Sequence, residues 1–189
     1  MTARPQRLRF RAHAPTARAS ALVFGDDGPL RSLPPAVATG GAAASGWAWC
    51  GPEPACGQSA EAEGWRVLVS DRLRGPDVGR WTGLGLAEVA AADPEGLSRW
   101  LSDPDARPHG GETLTELVSR VGDLLRQPEP NTDEQPGLWV VTPLVVRALV
   151  VAALDAPAVV IFSVDVGFGG EVQLSGSGRT WRLQSLSRG

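Results

Sequence analysis

The chain has 189 residues, of which 42% are hydrophobic and 21% charged, enough apolar side chain for one sizeable core. Its net charge is −3 and all 18 basic residues are Arg; no basic patch stands out, so no nucleic-acid partner is expected. No apolar run is long enough to span a membrane, and the basic start, residues 1–11, lacks the apolar segment of a signal peptide. The expectation is a cytoplasmic protein with no membrane association.

Leu8-Arg9-Phe10 alternates apolar and polar residues, as a short strand does. Arg11-Ala12-His13-Ala14-Pro15-Thr16 follows, and then a helix-forming run over 17–22. This places His13 at the carboxyl end of a first strand, where open α/β sheets present their ligand crevice. Taken alone, such a histidine is more simply a hydrogen-bonded turn residue. Residues 24–33 are turn-rich, Pro34-Pro35 opens a helix to about 39, and 40–46 is a small-residue connector. A strand over 46–50 leads through Gly51-Pro52-Glu53-Pro54 to a helix ending near 63. A third strand is expected over 65–69, a loop over 70–83, and helices over 84–92 and 94–101. Thr113-Leu114-Thr115-Glu116 is a capping box. The helix it opens has an apolar face of Leu114, Leu117, Val118, Val121, Leu124 and Leu125. A polar, proline-rich loop over 127–137 precedes a strand over 138–141, a buried helix over 145–154, and a strand over 161–166. Residues 171–174 and 180–183 form a terminal hairpin.

This alternation predicts a three-layer α/β/α sandwich with a mostly parallel central sheet and a C-terminal β-hairpin, as a single domain over 1–189. The spacing of Cys50 and Cys56 is neither a redox nor a zinc spacing, and two reduced, half-buried thiols are expected. Cys56, at a helix start, has the position of a thiol with a lowered pKa, although a structural thiol is its plainer role. No metal or cofactor is expected.

Five stretches, in order, resemble the motifs of the histidine phosphatase superfamily, the phosphoglycerate-mutase-like proteins. His13-Ala14-Pro15-Thr16 lines up with Arg-His-Gly-x-Thr, with Ala12 at the Arg position. The run from Gly51 to Ala60 matches Ser-Pro-x-x-Arg-Ala-x-Gln-Thr-Ala, with Ala55 at the Arg position. Leu73-Arg74-Gly75 and Gly79-Arg80-Trp81-Thr82-Gly83 match the next pair, with Gly75 where the family has an acid. Trp100 to Asp103-Pro104, then Pro108-His109-Gly110-Gly111-Glu112-Thr113 and Arg120-Val121, is the most family-like part. Val140-Val141-Thr142 through Arg147-Ala148 matches the last, with Thr142 at the second His. The resemblance implies that the first His carries the phosphoryl group. It also implies that two Arg and a second His neutralise the phosphate, and that the acid protonates the leaving group. Here His13 stands with Ala12, Ala55, Gly75 and Thr142.

A phosphate monoester brings close to two negative charges, and leaving them unpaired in a partly buried pocket costs several kcal/mol. The expected function is therefore a divergent family member that has lost phosphatase chemistry. It binds a small, largely apolar metabolite as a repurposed acid–base enzyme of a biosynthetic pathway (cyclisation, isomerisation, dehydration or hydrolysis). The alternatives are a non-catalytic binding or scaffold protein, and a residual phosphomonoesterase using Arg11, Arg18 or Arg74 as substitute cations. His13 is the expected catalytic residue, its pKa near 6.5 once its cationic neighbours are gone. Arg11, Ala55, Thr142, Trp49, Trp81, Glu112 and His109 are the expected ligand contacts, although core packing is the plainer role for each Trp. Glu112 has helix-end stabilisation and His109 a loop contact as plainer roles. Asp77 and Asp165 are further acids expected near the crevice. A small-molecule partner is expected, with a homodimer left open.

Overall fold

The computed structural model describes residues 6–26, 28–32, 46–126, 137–177 and 180–189. β1 (Gln6–Ala12), β2 (Trp47–Cys50), β3 (Arg66–Val69), β4 (Leu138–Val141), β5 (Glu171–Ser177) and β6 (Thr180–Leu186) build one sheet in the order β3-β2-β4-β1-β5-β6. β1 to β4 run parallel, with β4 between β2 and β1; β5 and β6 add antiparallel strands at one edge. Ala12 pairs with Val141 and Cys50 with Val140, so the three central strands end at the same level.

The period of two along each strand divides the core between the two faces. Ala48, Cys50, Leu138 and Val140 pack with Cys56 and Ala60 of α1 (Pro54–Ala62) on one side. Phe10, Ala12, Trp49, Trp139 and Val141 pack on the other, against α4 (Leu114–Arg126) and α5 (Pro143–Ala153). The sheet is thus a middle layer between helices, as the alternation of elements predicts. The capping box forms as read: Glu116 N–H donates to Thr113 Oγ1 at 3.0 Å and Thr113 N–H to the Glu116 carboxylate at 2.9 Å. α2 (Leu86–Ala92) and α3 (Pro94–Ser102) complete the helices.

Two expected elements are corrected. Residues 17–22 form only a 3-10 turn, Ala19–Ala21, ended by Leu22 with φ +48°. Ala17 N–H donates to Pro29 O and Arg31 N–H to Pro15 O, so pairing with the next loop overrides helix propensity. Residues 161–166 are no strand; Ala158–Ser163 is a 3-10 turn that buries Ile161 against the helical face. The strand beside β1 is instead β5 of the hairpin. The expected helix over 34–39, most of the connector over 40–46, and most of the loop over 127–137 lie outside the described residues.

Candidate functional site

The carboxyl ends of β1, β4 and β2 gather the positions singled out by the sequence. His13 N–H donates to Val141 O and Gly51 N–H to Val140 O, both at 3.0 Å, so residues 13 and 51 flank the end of β4 where Thr142 begins α5. Ser59 ties α1 to the same point. Its hydroxyl donates to Ala55 O at 2.7 Å and accepts from Ala14 N–H at 2.9 Å. Position 75 arrives from a loop: a Cβ there would lie 3.5 Å from Thr142 Cγ2 and 3.7 Å from its Oγ1. Thr142 Oγ1 is buried and has no hydrogen-bond partner. His13, Ala12, Ala55, Gly75 and Thr142 therefore belong to one neighbourhood.

His13 is only 3% exposed. Its Nδ1 lies 2.8 Å from Ala14 O, and a carbonyl only accepts, so Nδ1 carries the hydrogen and the neutral ring keeps its lone pair on Nε2. The Phe168 ring packs 5.3 Å from the imidazole, and Gly169 N–H donates to both Ala12 O and His13 O, closing this side with the 167–170 loop. Burial pushes the His13 pKa below 6.5; the Ala14 carbonyl, Glu53 and Asp26 oppose it, in that order. Burial is the largest of these influences, so the shift is downward.

Neither acid was among the expected site residues. Glu53 Oε1 accepts from Gly75 N–H at 2.5 Å, and Cys56 Sγ lies 3.7 Å from Oε2. Asp26 accepts from Thr16 Oγ1 at 2.5 Å and Gly28 N–H at 3.0 Å, fixing the loop beyond His13. The one signal for Glu53 in the sequence is its place in the short β2–α1 turn, at the N-cap of α1. Cys50 and Cys56 are free and fully buried. Burial first, then nearby carboxylates, pushes the Cys50 thiol up to about 12 and that of Cys56 well above its ordinary value, which leaves no thiolate nucleophile.

The structure places several expected ligand contacts elsewhere. Arg11 shares a strand face with His13 as the period of two requires, but its guanidinium is paired with Glu63 and Glu171. Arg18 donates to Gly83 O at 2.6 Å and Arg74 to Asp71 O at 3.5 Å. Trp49 packs its ring 5.1 Å from Trp139 inside the core. Trp81 is 2% exposed, among Phe24, Trp100 and His109. These two indoles are core, not rim. His109 is 2% exposed; its Nδ1 accepts from Gly111 N–H at 3.0 Å and its buried Nε2 has no partner. Glu112 forms a two-pronged pair with Arg120, at 2.8 and 2.9 Å. Arg120 also donates to the carbonyls of Arg72, Arg74 and Gly75, so Glu112 acts on the site by holding the 72–75 loop. Asp77 anchors Gly79 and Glu112 through their N–H groups, and Asp165 is exposed and paired with Arg188. Among the described residues no three His, Cys, Asp or Glu side chains form a metal-ligating group, and no helix is long and apolar enough to cross a membrane.

The model of the histidine phosphatase superfamily (branch 1) matches residues 49–188. The chain belongs to this superfamily. The match begins after the segment that carries His13, which joins the site through the fold. A glucosyl-3-phosphoglycerate phosphatase of Mycobacterium tuberculosis is 34% identical over 101 residues, covering 51% of this chain and 44% of that protein. A bifunctional protein of the same organism is 46% identical over 55 residues, 29% of this chain but only 15% of that protein. The chain thus aligns with less than half the length of these curated relatives. Among solved structures, the mycobacterial glucosyl-3-phosphoglycerate phosphatase in complex with VO3 superposes with a TM-score of 0.75 at 26% identity, over 95% of this chain and 97% of that one. Mycobacterial hydrolase 1 gives 0.77 at 26% identity, over 96% and 98%.

Proposed function

We propose that this superfamily member has lost phosphoryl transfer and binds a small, largely apolar metabolite, on which His13 acts as an acid–base in a biosynthetic reaction. The observation that carries this reading is the charge around His13. Positions 12, 55, 75 and 142, which gather with His13 at the strand ends, hold Ala, Ala, Gly and Thr and supply no positive charge. Phosphoryl transfer depends on preorganised positive charge, and loss of one such donor typically costs about 100–1000-fold.

The imidazole is suited to moving protons. Ala14 O fixes the Nδ1–H form, so Nε2 takes a proton from the ligand, and the imidazolium that forms keeps its hydrogen bond to Ala14 O. A group placed in this way contributes typically about 100–10,000-fold. Cyclisation, isomerisation, dehydration or hydrolysis of an uncharged substrate needs such a group and no phosphate clamp.

The test is turnover of p-nitrophenyl phosphate and of phosphorylated sugars, including a glucosyl phosphoglycerate. The expected result is no hydrolysis above background. Robust hydrolysis that His13→Ala abolishes overturns the proposal and returns the protein to the phosphatases.

A further inference from the structure

The loop that carries His109 closes on the 77–80 turn through contacts that only glycines permit. Gly79 has φ +45°, and a Cβ there would stand 2.2 Å from His109 O; a Cβ at position 111 would stand 2.2 Å from Asp77 O. Arg80 N–H donates to His109 O at 3.0 Å and Glu112 N–H to Asp77 O at 2.7 Å. The imidazole locks this arrangement from inside. It is 2% exposed, packs edge to face with Trp81 and Trp100, and accepts from Gly111 N–H at Nδ1, at 3.0 Å. An amide N–H only donates, so Nδ1 holds a lone pair and the neutral ring carries its hydrogen on Nε2, which meets no acceptor among the described residues. His13 is held in the opposite form. Protonation of His13 at Nε2 leaves its bond to Ala14 O intact, whereas protonation of His109 at Nδ1 sets two donors head to head, 3.0 Å apart. The bond to Gly111 must then break.

We propose that His109 is an acid-sensitive latch: neutral, it holds the 109–112 loop on the 77–80 turn, and protonated it releases that loop and, through Glu112 and Arg120, the 72–75 wall of the site. The coupling is a chain of bonds. Glu112 follows Gly111 directly and pairs with Arg120, and Arg120 donates to the carbonyls of Arg72, Arg74 and Gly75. Gly75 lies beside Thr142 at the strand ends. The charges around His109 do not hold a proton on it. Burial pushes its pKa below 6.5; Asp77 opposes this, and Arg80 and Arg107 add to it. The Asp77 carboxylate accepts from Gly79 N–H, Arg80 is paired with Asp93, and Arg107 with Glu116 of α4. The closed loop therefore prefers the neutral ring. Closure is at full strength above about pH 6.5 and weakens as the pH falls below it. The latch acts on the wall of the site whatever chemistry is done there.

The experiment is amide hydrogen exchange, followed by NMR in the whole chain from about pH 7.5 down to about pH 5. The protection of Gly111 and Gly75, corrected for the ordinary pH dependence of exchange, is expected to fall by up to about tenfold for each pH unit below 6.5. That of Gly51, whose N–H is bound to Val140 O in the sheet, is expected to stay level. The same pattern is expected in His13→Gln, which removes the other histidine. His109→Asn puts an amide oxygen where Nδ1 stands and takes no proton, so its Gly111 protection is expected to lose the pH dependence. The proposal is overturned if Gly111 protection is level over the whole range, if it falls while Gly75 stays level, or if Gly51 falls with both. It is equally overturned if the fall is lost in His13→Gln or kept in full in His109→Asn. Should the Asn variant not fold, the comparison of the unaltered chain with His13→Gln decides alone.

Discussion

At the scale of single residues, the site divides into positions a motif can mark and positions only packing can. His13, Ala55, Gly75 and Thr142 were legible because each occupies a fixed place in a run of residues, and the parallel strands bring those places together. Trp49 and Trp81 were not, because an indole beside a motif reads alike whether it faces ligand or core. The structure decides for the core, and the consequence is measurable. Trp81→Ala removes a ring packed 5.2 Å from Phe24 and 5.0 Å from His109, and is expected to cost about 3–5 kcal/mol in urea unfolding. A loss of about 1 kcal/mol or less would put the ring back at a solvent-filled rim. Glu53 escapes sequence reasoning for the opposite reason: it stands at a position the motif leaves open, and its bond to Gly75 N–H is made across 22 residues of chain.

At the scale of elements, the self-contained local signals match the structure. The capping box of α4 closes within four residues, and the strand over 138–141 is marked by its own unbroken apolar run. The run over 161–166 departs from a strand because its backbone bonds close locally, Val164 N–H on Ile161 O and Val166 N–H on Val164 O, whereas 17–22 departs from a helix because Ala17 pairs with Pro29 of the next loop. The β1–β5 pair shows the same dependence, since Arg11 is drawn away from the site by Glu171, a residue on the hairpin. This pair also carries a pH response. Burial pushes Glu171 up, but hydrogen bonds and charge from Arg9 and Arg11 outweigh it and hold its pKa at about 2, against an ordinary 4.5. The folded state therefore favours the ionised form. The stability this contributes is complete above about pH 4.5 and is lost as the pH falls toward about 2. Urea midpoints taken at neutral pH and near pH 3 are expected to show a smaller acid loss for Glu171→Gln than for the unaltered chain. An equal loss in both would mean that the pair with Arg9 and Arg11 does not form in solution.

At the scale of the whole molecule, the sheet, its helical layers and the gathering of strand ends are those of the histidine phosphatase superfamily, while positions 12, 55, 75 and 142 hold the uncharged residues Ala, Ala, Gly and Thr. A fold fixes where a site lies and leaves its chemistry to the residues placed there. Here the scaffold still delivers a buried imidazole oriented by Ala14 O, with Phe168 packed against it. The account therefore turns on whether this site accepts a phosphate-like anion. Titration of orthovanadate and inorganic phosphate into the protein, observed on the His13 ring resonances, tests this most directly. The account predicts no saturable shift at millimolar anion and no phosphohistidine in the mass of protein exposed to phosphoryl donors. A saturable shift confined to His13, or a phosphoryl group on its ring, would contradict it.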